Sequence, residues 1–133
     1  MLLGNSEKIL LTANPFLQQL FREVARTWDL TVLEGVRTLE RQKELVASGA
    51  SKTLNSRHLA QSDGLAAAVD VAPRGLTATV VWQDSALFYY FGGYVMRTAE
   101  DHGIEIRWGG DWDGDHQVKD QTFNDLVHFE IPV

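Results

Sequence analysis

Among the histidines and carboxylates of this 133-residue chain, four stand where they could hold or use a metal ion: His58, Asp70, Asp125 and His128. Asp70 sits inside the apolar run Val69-Asp70-Val71-Ala72-Pro73, which reads as a buried strand with the proline as its stop. A carboxylate in such a place is costly unless a cation or a hydrogen-bond donor meets it. His58 precedes it and His128 follows near the end of the sequence. Two imidazoles and one carboxylate, with a fourth position open, form a ligand set that suits catalytic zinc. If 126–131 is a strand, its period of two turns His128 and Glu130 to one face. Asp125 stands at the start of that strand, placed to offer a carboxylate beside the ion without ligating it. Zinc hydrolases need such a group to take a proton from the attacking water and return it to the leaving amine. Arg37 is a candidate to stabilise the oxyanion, with a surface salt bridge as the ordinary alternative. By spacing alone, a zinc site and a chance grouping of two histidines and two aspartates stand as equal readings.

Composition narrows the classes. A formal charge of −6 and a pI near 5.1 argue against binding to a phosphate backbone, and give no reason to expect stable membrane binding. There is no cysteine, which excludes disulfides, thiolate metal sites and a cysteine nucleophile. No apolar run approaches the roughly 18 residues of a membrane span. The opening Met1-Leu2-Leu3-Gly4-Asn5-Ser6-Glu7-Lys8 lacks the basic start and long apolar core of a secretory signal. With no repeat, linker or low-complexity tract, 1–133 is expected to be one domain without a separate wall-binding domain.

The elements that must position these residues follow from pattern. Asn14-Pro15 caps and opens a helix over about 15–28. Residues 30–33 read as a strand running into Gly35-Val36-Arg37-Thr38, and a helix follows over about 39–48, stopped by Gly49. Residues 50–55 are a polar loop. Thr77 to Trp82 is a possible β-rich segment. Asp84 and Ser85 cap a third helix over about 85–102, weakened at its middle by Gly92-Gly93. Ile104 to Trp108 alternates as a strand, 109–117 is a loop, and Leu126 to Ile131 is the last strand. The class is α+β, a small antiparallel sheet with packed helices. His102 and His116 read as structural. In the loop, Asp111, Asp113 and Asp115 could hold calcium, although the full twelve-residue pattern is missing and a solvated loop edging the cleft is the alternative. Trp112 beside them could contact a substrate's peptide or sugar.

Taken together, Gly35-Val36-Arg37-Thr38, Ser56-Arg57-His58-Leu59, Ala68-Val69-Asp70-Val71-Ala72-Pro73 and Asp125-Leu126-Val127-His128-Phe129-Glu130 resemble peptidase family M15. Those zinc enzymes include D-Ala-D-Ala carboxypeptidases and dipeptidases, and phage endolysins that cut between L-alanine and D-glutamate in peptidoglycan. The likeness is greatest to the phage L-alanyl-D-glutamate endopeptidases, supported by the Asn5-Ser6-Glu7-Lys8 opening and by Arg107-Trp108-Gly109-Gly110-Asp111-Trp112. The resemblance implies a fold like the D-Ala-D-Ala peptidases and hedgehog domains, and zinc ligation by His58, Asp70 and His128. It also implies a catalytic carboxylate at Asp125 and a carbonyl-stabilising Arg37. Ser56 falls at a motif position that supports the site or the substrate, and Glu130 is a candidate to orient a ligand. A monomer acting on peptidoglycan is expected, waiting in the host bacterial cytoplasm until a holin opens the inner membrane. The alternatives are a D-Ala-D-Ala carboxypeptidase or dipeptidase of the same family, or a non-catalytic zinc-containing binding domain.

The sequence departs from the family in one place. Eleven residues separate His58 from Asp70, more than the family usually has. The extra length falls in 60–66, where Gly64 or Ala66 takes the motif glycine's place. It is expected to reshape the cleft wall, and Asp63 within it is an alternative ligand.

Overall fold

The computed structural model describes Leu2 and residues 4–132. Met1, Leu3 and Val133 lie outside the described residues, and with them part of the N-terminal stretch read as lacking a signal. Four strands, β1 (Leu30–Glu34), β2 (Ala68–Pro73), β3 (Arg107–Gly109) and β4 (Asp125–Glu130), form an antiparallel sheet in the order β1-β2-β4-β3. Four helices accompany it: α1 (Gly4–Leu10), α2 (Pro15–Val24), α3 (Leu39–Ala47) and α4 (Ser85–Asp101). The expected α+β class is what the chain adopts.

The alternation of side chains across the sheet separates core from cleft. Val69 pairs with Phe129, and both are fully buried on the helix side, where Phe21, Phe91 and Trp108 pack around the Phe129 ring. The next pair along, Asp70 and His128, therefore faces the other way. Glu130 pairs with both Ala68 and Arg107 and shares that second face. One face of three strands thus collects the polar residues while the other carries the core.

Helix α1 is absent from the pattern reading. It has only 7 residues, too few for a clear helical period, and it covers a sheet edge. Ser6 is buried on it, and its Oγ accepts the Val32 N–H, a donor that the edge strand β1 would otherwise leave unpaired. Helix α2 ends at Val24, shorter than expected, because the chain turns there to bring Trp28 against Tyr90, Phe91 and Tyr94 of α4. Helix α4 runs through Gly92-Gly93 unbroken. Gly92 is required there, since a Cβ would overlap the Trp108 indole. The expected β-rich segment at Thr77 to Trp82 is instead a turn. The Gly75 N–H donates to the Thr79 carbonyl, Ala78 takes a φ of 60°, and Leu76 and Trp82 are exposed, with no strand paired to the segment among the described residues. Strand β3 starts at Arg107 rather than Ile104. Among the described residues no helix is long and apolar enough to cross a membrane.

Candidate active site

His58, Asp70 and His128 arrive from three places and meet. Asp70 and His128 are direct cross-strand partners, which puts their Cβ atoms about 5 Å apart by strand geometry alone. His58 comes from a loop that a tight turn aims inward: the Ser56 Oγ accepts the His58 N–H, and the Ser56 carbonyl accepts the Leu59 N–H. The His58 carbonyl then accepts the Arg37 N–H at 2.8 Å, tying that turn to the segment after β1.

The hydrogen bonds fix which ring nitrogen each histidine presents. His58 Nδ1 lies 2.8 Å from the Gly35 carbonyl, which can only accept, so the ring proton is on Nδ1 and Nε2 is bare. His128 Nε2 lies 2.8 Å from Glu130 Oε1, so Nδ1 is the bare nitrogen there. Those two lone pairs stand 3.2 Å apart, and Asp70 Oδ1 lies 3.0 Å from one and 3.4 Å from the other. With both imidazoles neutral, three acceptors thus converge on one point with no donor among them. Only a proton or a cation can fill that point. Ligands about 2.0–2.1 Å from a tetrahedral zinc stand roughly 3.3 Å from one another, and the three separations match that edge length. The trio fits a zinc ion.

The charge balance carries the same message. Burial opposes charge on His128, but the carboxylates of Asp70 and Glu130 outweigh it and push the imidazole up to about 9. Burial also opposes the Asp70 charge, and the imidazoles of His128 and His58 beside it hold that carboxyl well below the usual range nevertheless.

Glu130 is buried, not a solvated strand end, and bridges His128 to Arg107, whose Nη2 lies 2.7 Å from Glu130 Oε2. Burial opposes its charge, and His128 and Arg107 hold its carboxyl below the ordinary value all the same. Orientation of a ligating imidazole by such a carboxylate is common at metal sites. Gly35 does the same for His58 through its carbonyl, and it must be glycine. A Cβ there would overlap Thr12 Oγ1 and lie 2.7 Å from the Ile9 carbonyl, at the close approach of α1. Gly35→Ala is expected to destabilise the fold by about 1–3 kcal/mol and to loosen the hold on His58; chemical denaturation monitors the first effect, and histidine NMR shifts the second.

Around the trio lies a cleft of about 640 Å³. Asp125 lines it, although strict alternation from His128 would turn Asp125 to the opposite face. A register break makes the difference: Trp108 pairs with Phe129 but Gly109 pairs with Asp125, so the strand bulges between. Burial pushes the half-buried Asp125 carboxyl up, and the Asp70 charge adds to this, partly offset by His128, His58 and Arg37. Arg37 is no surface salt bridge. Its guanidinium is largely buried, paired with Glu34, donating Nη1 to Gln42 Oε1 at 2.7 Å, and 3.9 Å from Asp70 Oδ2. Trp112 forms a wall, its ring 5.3 Å from the His128 ring and its Nε1 donating to the Phe123 carbonyl.

Other expectations are corrected. Residues 60–66 do not line the cleft. They form a small loop closed by the Ala60–Ala66 bridge and pinned to the α1–α2 connection, where the Ala66 carbonyl accepts the Asn14 N–H and the Thr12 carbonyl accepts the Ala66 N–H. Asp63 is exposed in it and accepts the Leu65 N–H, away from the histidines. Asp111, Asp113 and Asp115 do gather, with ligand atoms within 4.8 Å of one another. Yet Asp113 and Asp115 are exposed, and each carboxylate accepts an N–H of its own turn, so calcium is not supported. Pattern reading missed Glu34, Gly35, Gln42, Phe123 and Arg107. Gly35 and Arg107 stood inside the quoted motifs without a role assigned to them, and Gln42 carried a signal as a polar residue three positions after Leu39.

A family model described as phage L-alanyl-D-glutamate peptidase matches residues 2–132. The chain belongs to that family. The peptidase is 29% identical over 136 aligned positions to the L-alanyl-D-glutamate peptidase of Escherichia phage T5, a match spanning 96% of this chain and 94% of the relative. Among solved structures it is similar to the L-Ala D-Glu endopeptidase ChiX of Serratia marcescens, with a TM-score of 0.77 and 33% identity over 97% of this chain and 87% of that one. The fold and the family agree with the expectation drawn from the motifs.

Proposed function

We propose that this peptidase is an endolysin that hydrolyses the L-Ala–D-Glu bond of the peptidoglycan stem with one zinc ion held by His58 Nε2, Asp70 and His128 Nδ1. The observation that carries the reading is the convergence of three buried acceptors at separations of 3.0, 3.2 and 3.4 Å beside a further carboxylate, Asp125. Bound there, zinc supplies Lewis acidity, lowering the pKa of water and polarising a carbonyl. The chain's own groups do the rest. Asp125, whose carboxyl is pushed up from its usual value, accepts the proton of the attacking water and delivers it to the nitrogen of the departing D-Glu. Arg37, immobilised by Glu34 and Gln42, presents its remaining N–H groups to the oxygen on which charge develops. Glu130 and the Gly35 carbonyl keep the two imidazoles in the required tautomers. Ser56 holds the turn that carries His58, and Trp112 and Phe123 wall the cleft against the stem peptide. In infected cells the peptidase, as a monomer, waits in the host cytoplasm and meets the wall after a holin opens the membrane.

Proton competition gives a direct expectation. A His128 proton held up to about pH 9 must leave when zinc enters. Apparent zinc affinity is therefore expected to weaken about tenfold per pH unit below 9, with about one proton released per ion at pH 7. Competition titrations at several pH values and calorimetry in buffers of different ionisation heat read both quantities.

Mass spectrometry of digested peptidoglycan tests the bond. New carboxyl-terminal L-alanine paired with new amino-terminal D-glutamate is the expected product. Released D-alanine would move the enzyme to the D-Ala-D-Ala carboxypeptidase or dipeptidase chemistry. No product from any wall type would favour a binding domain.

A further inference from the structure

Helix α3 is mostly exposed, and the one fully buried residue in it is polar: Gln42. A buried amide must satisfy both of its ends, and each end of Gln42 is spent on a different part of the cleft. Its Oε1 accepts from Arg37 Nη1 at 2.7 Å. Its Nε2 donates to Ser51 Oγ at 2.8 Å and to the Thr53 carbonyl, both on the polar loop that forms one cleft wall. Glu34 holds the Nε and Nη2 side of the same guanidinium. Of the five N–H donors on Arg37, these bonds use three, and the plane of the fork is fixed from two sides.

We infer that Gln42 is a positioning residue for the peptidase reaction, setting the orientation of Arg37 toward the scissile carbonyl. The inference rests on the proposed role of Arg37. Glu34 alone would leave the guanidinium free to swing about their shared edge, because a single carboxylate does not set where Nη1 points. Gln42 supplies the second fixed point. An amide suits the task better than a second carboxylate, since its neutral oxygen orients Arg37 without neutralising the charge that the developing oxyanion needs.

The variants that separate the two ends of the side chain are Gln42→Met and Gln42→Glu. Methionine fills the space and makes neither bond. Glutamate can still accept from Arg37 but cannot donate to Ser51 or Thr53. With a soluble muropeptide substrate, Gln42→Met is expected to lower kcat about 10- to 100-fold with KM little changed. Gln42→Glu keeps the bond to Arg37 but sets a negative charge beside it, so its kcat is expected to fall between those of Gln42→Met and the parent. The deciding measurement is the double-mutant cycle with Arg37→Ala. If Gln42 acts through Arg37, adding Gln42→Met to Arg37→Ala costs no further activity. A further loss as large as in the wild-type background would assign Gln42 to the loop instead and overturn the inference. An Arg37→Ala enzyme as active as wild type would overturn the reading of Arg37 and this inference with it. Zinc stoichiometry and thermal midpoint, measured on every variant, separate loss of fold from loss of orientation.

Discussion

Replacing Asp125 with asparagine is expected to lower the cleavage rate by about two to four orders of magnitude, the range for loss of a general base, with zinc stoichiometry unchanged. Asparagine keeps the shape of the side chain and removes its capacity to accept a proton. Asp125 is not among the three converging ligands, so the metal should remain. Nor should the fold suffer. In the metal-free protein burial and the nearby Asp70 charge raise the Asp125 carboxyl pKa. A raised folded-state pKa means that the native state binds the proton more tightly than the unfolded chain. Stability then falls as pH rises through that interval, and at neutral pH the ionised carboxylate is a net cost to the native state. The neutral amide carries no such charge, so denaturation at pH 7 should show a variant at least as stable as the parent. Rate and stability moving in opposite directions would mark Asp125 as functional, not structural. An active Asp125→Asn enzyme would instead require another base in the cleft.

His58→Ala should have the second large effect, and of a different kind. His58 is almost wholly enclosed, and its ring joins the Gly35 carbonyl to Asp70 and His128. Its removal leaves the Gly35 carbonyl without its partner and takes one of three ligands from the ion. We expect cleavage at background and no retained zinc at equimolar micromolar metal. In the metal-free state the unsatisfied groups should destabilise the fold by about 1–3 kcal/mol. Zinc at roughly a hundredfold excess over its dissociation constant stabilises a protein by about 2.7 kcal/mol. That rise in thermal midpoint should appear in the wild type and in Asp125→Asn, and vanish in His58→Ala. The pair of variants thus divides base from ligand.

What could be read from the chain without its fold depended on how local the cause was. The cap at Asn14, the run around Asp70 and the alternation after Asp125 act over a few residues, and they put the start of α2, and β2 and β4, where the pattern places them. The same-face relation of His128 and Glu130 followed from strand period alone. Nonlocal causes were invisible. Nothing near Gly35 announces that α1 will press against it or that its carbonyl will set the His58 tautomer. The bulge that turns Asp125 into the cleft arises from pairing between β3 and β4, not from either segment. Thr77 to Trp82 has strand-forming residues, but a strand needs a partner edge, and among the described residues this segment pairs with none. Residues 60–66 looked like an intrusion into the cleft because sequence gives loop length and not loop direction.

The central claim is that catalysis needs one zinc ion at His58, Asp70 and His128. The most direct measurement is stoichiometric: strip the enzyme of metal, confirm its absence, then add zinc in fractions of an equivalent while following cleavage of a stem-peptide substrate. The account predicts no activity at the start, a linear rise, and a plateau at one equivalent. Full activity in the verified metal-free enzyme would contradict it.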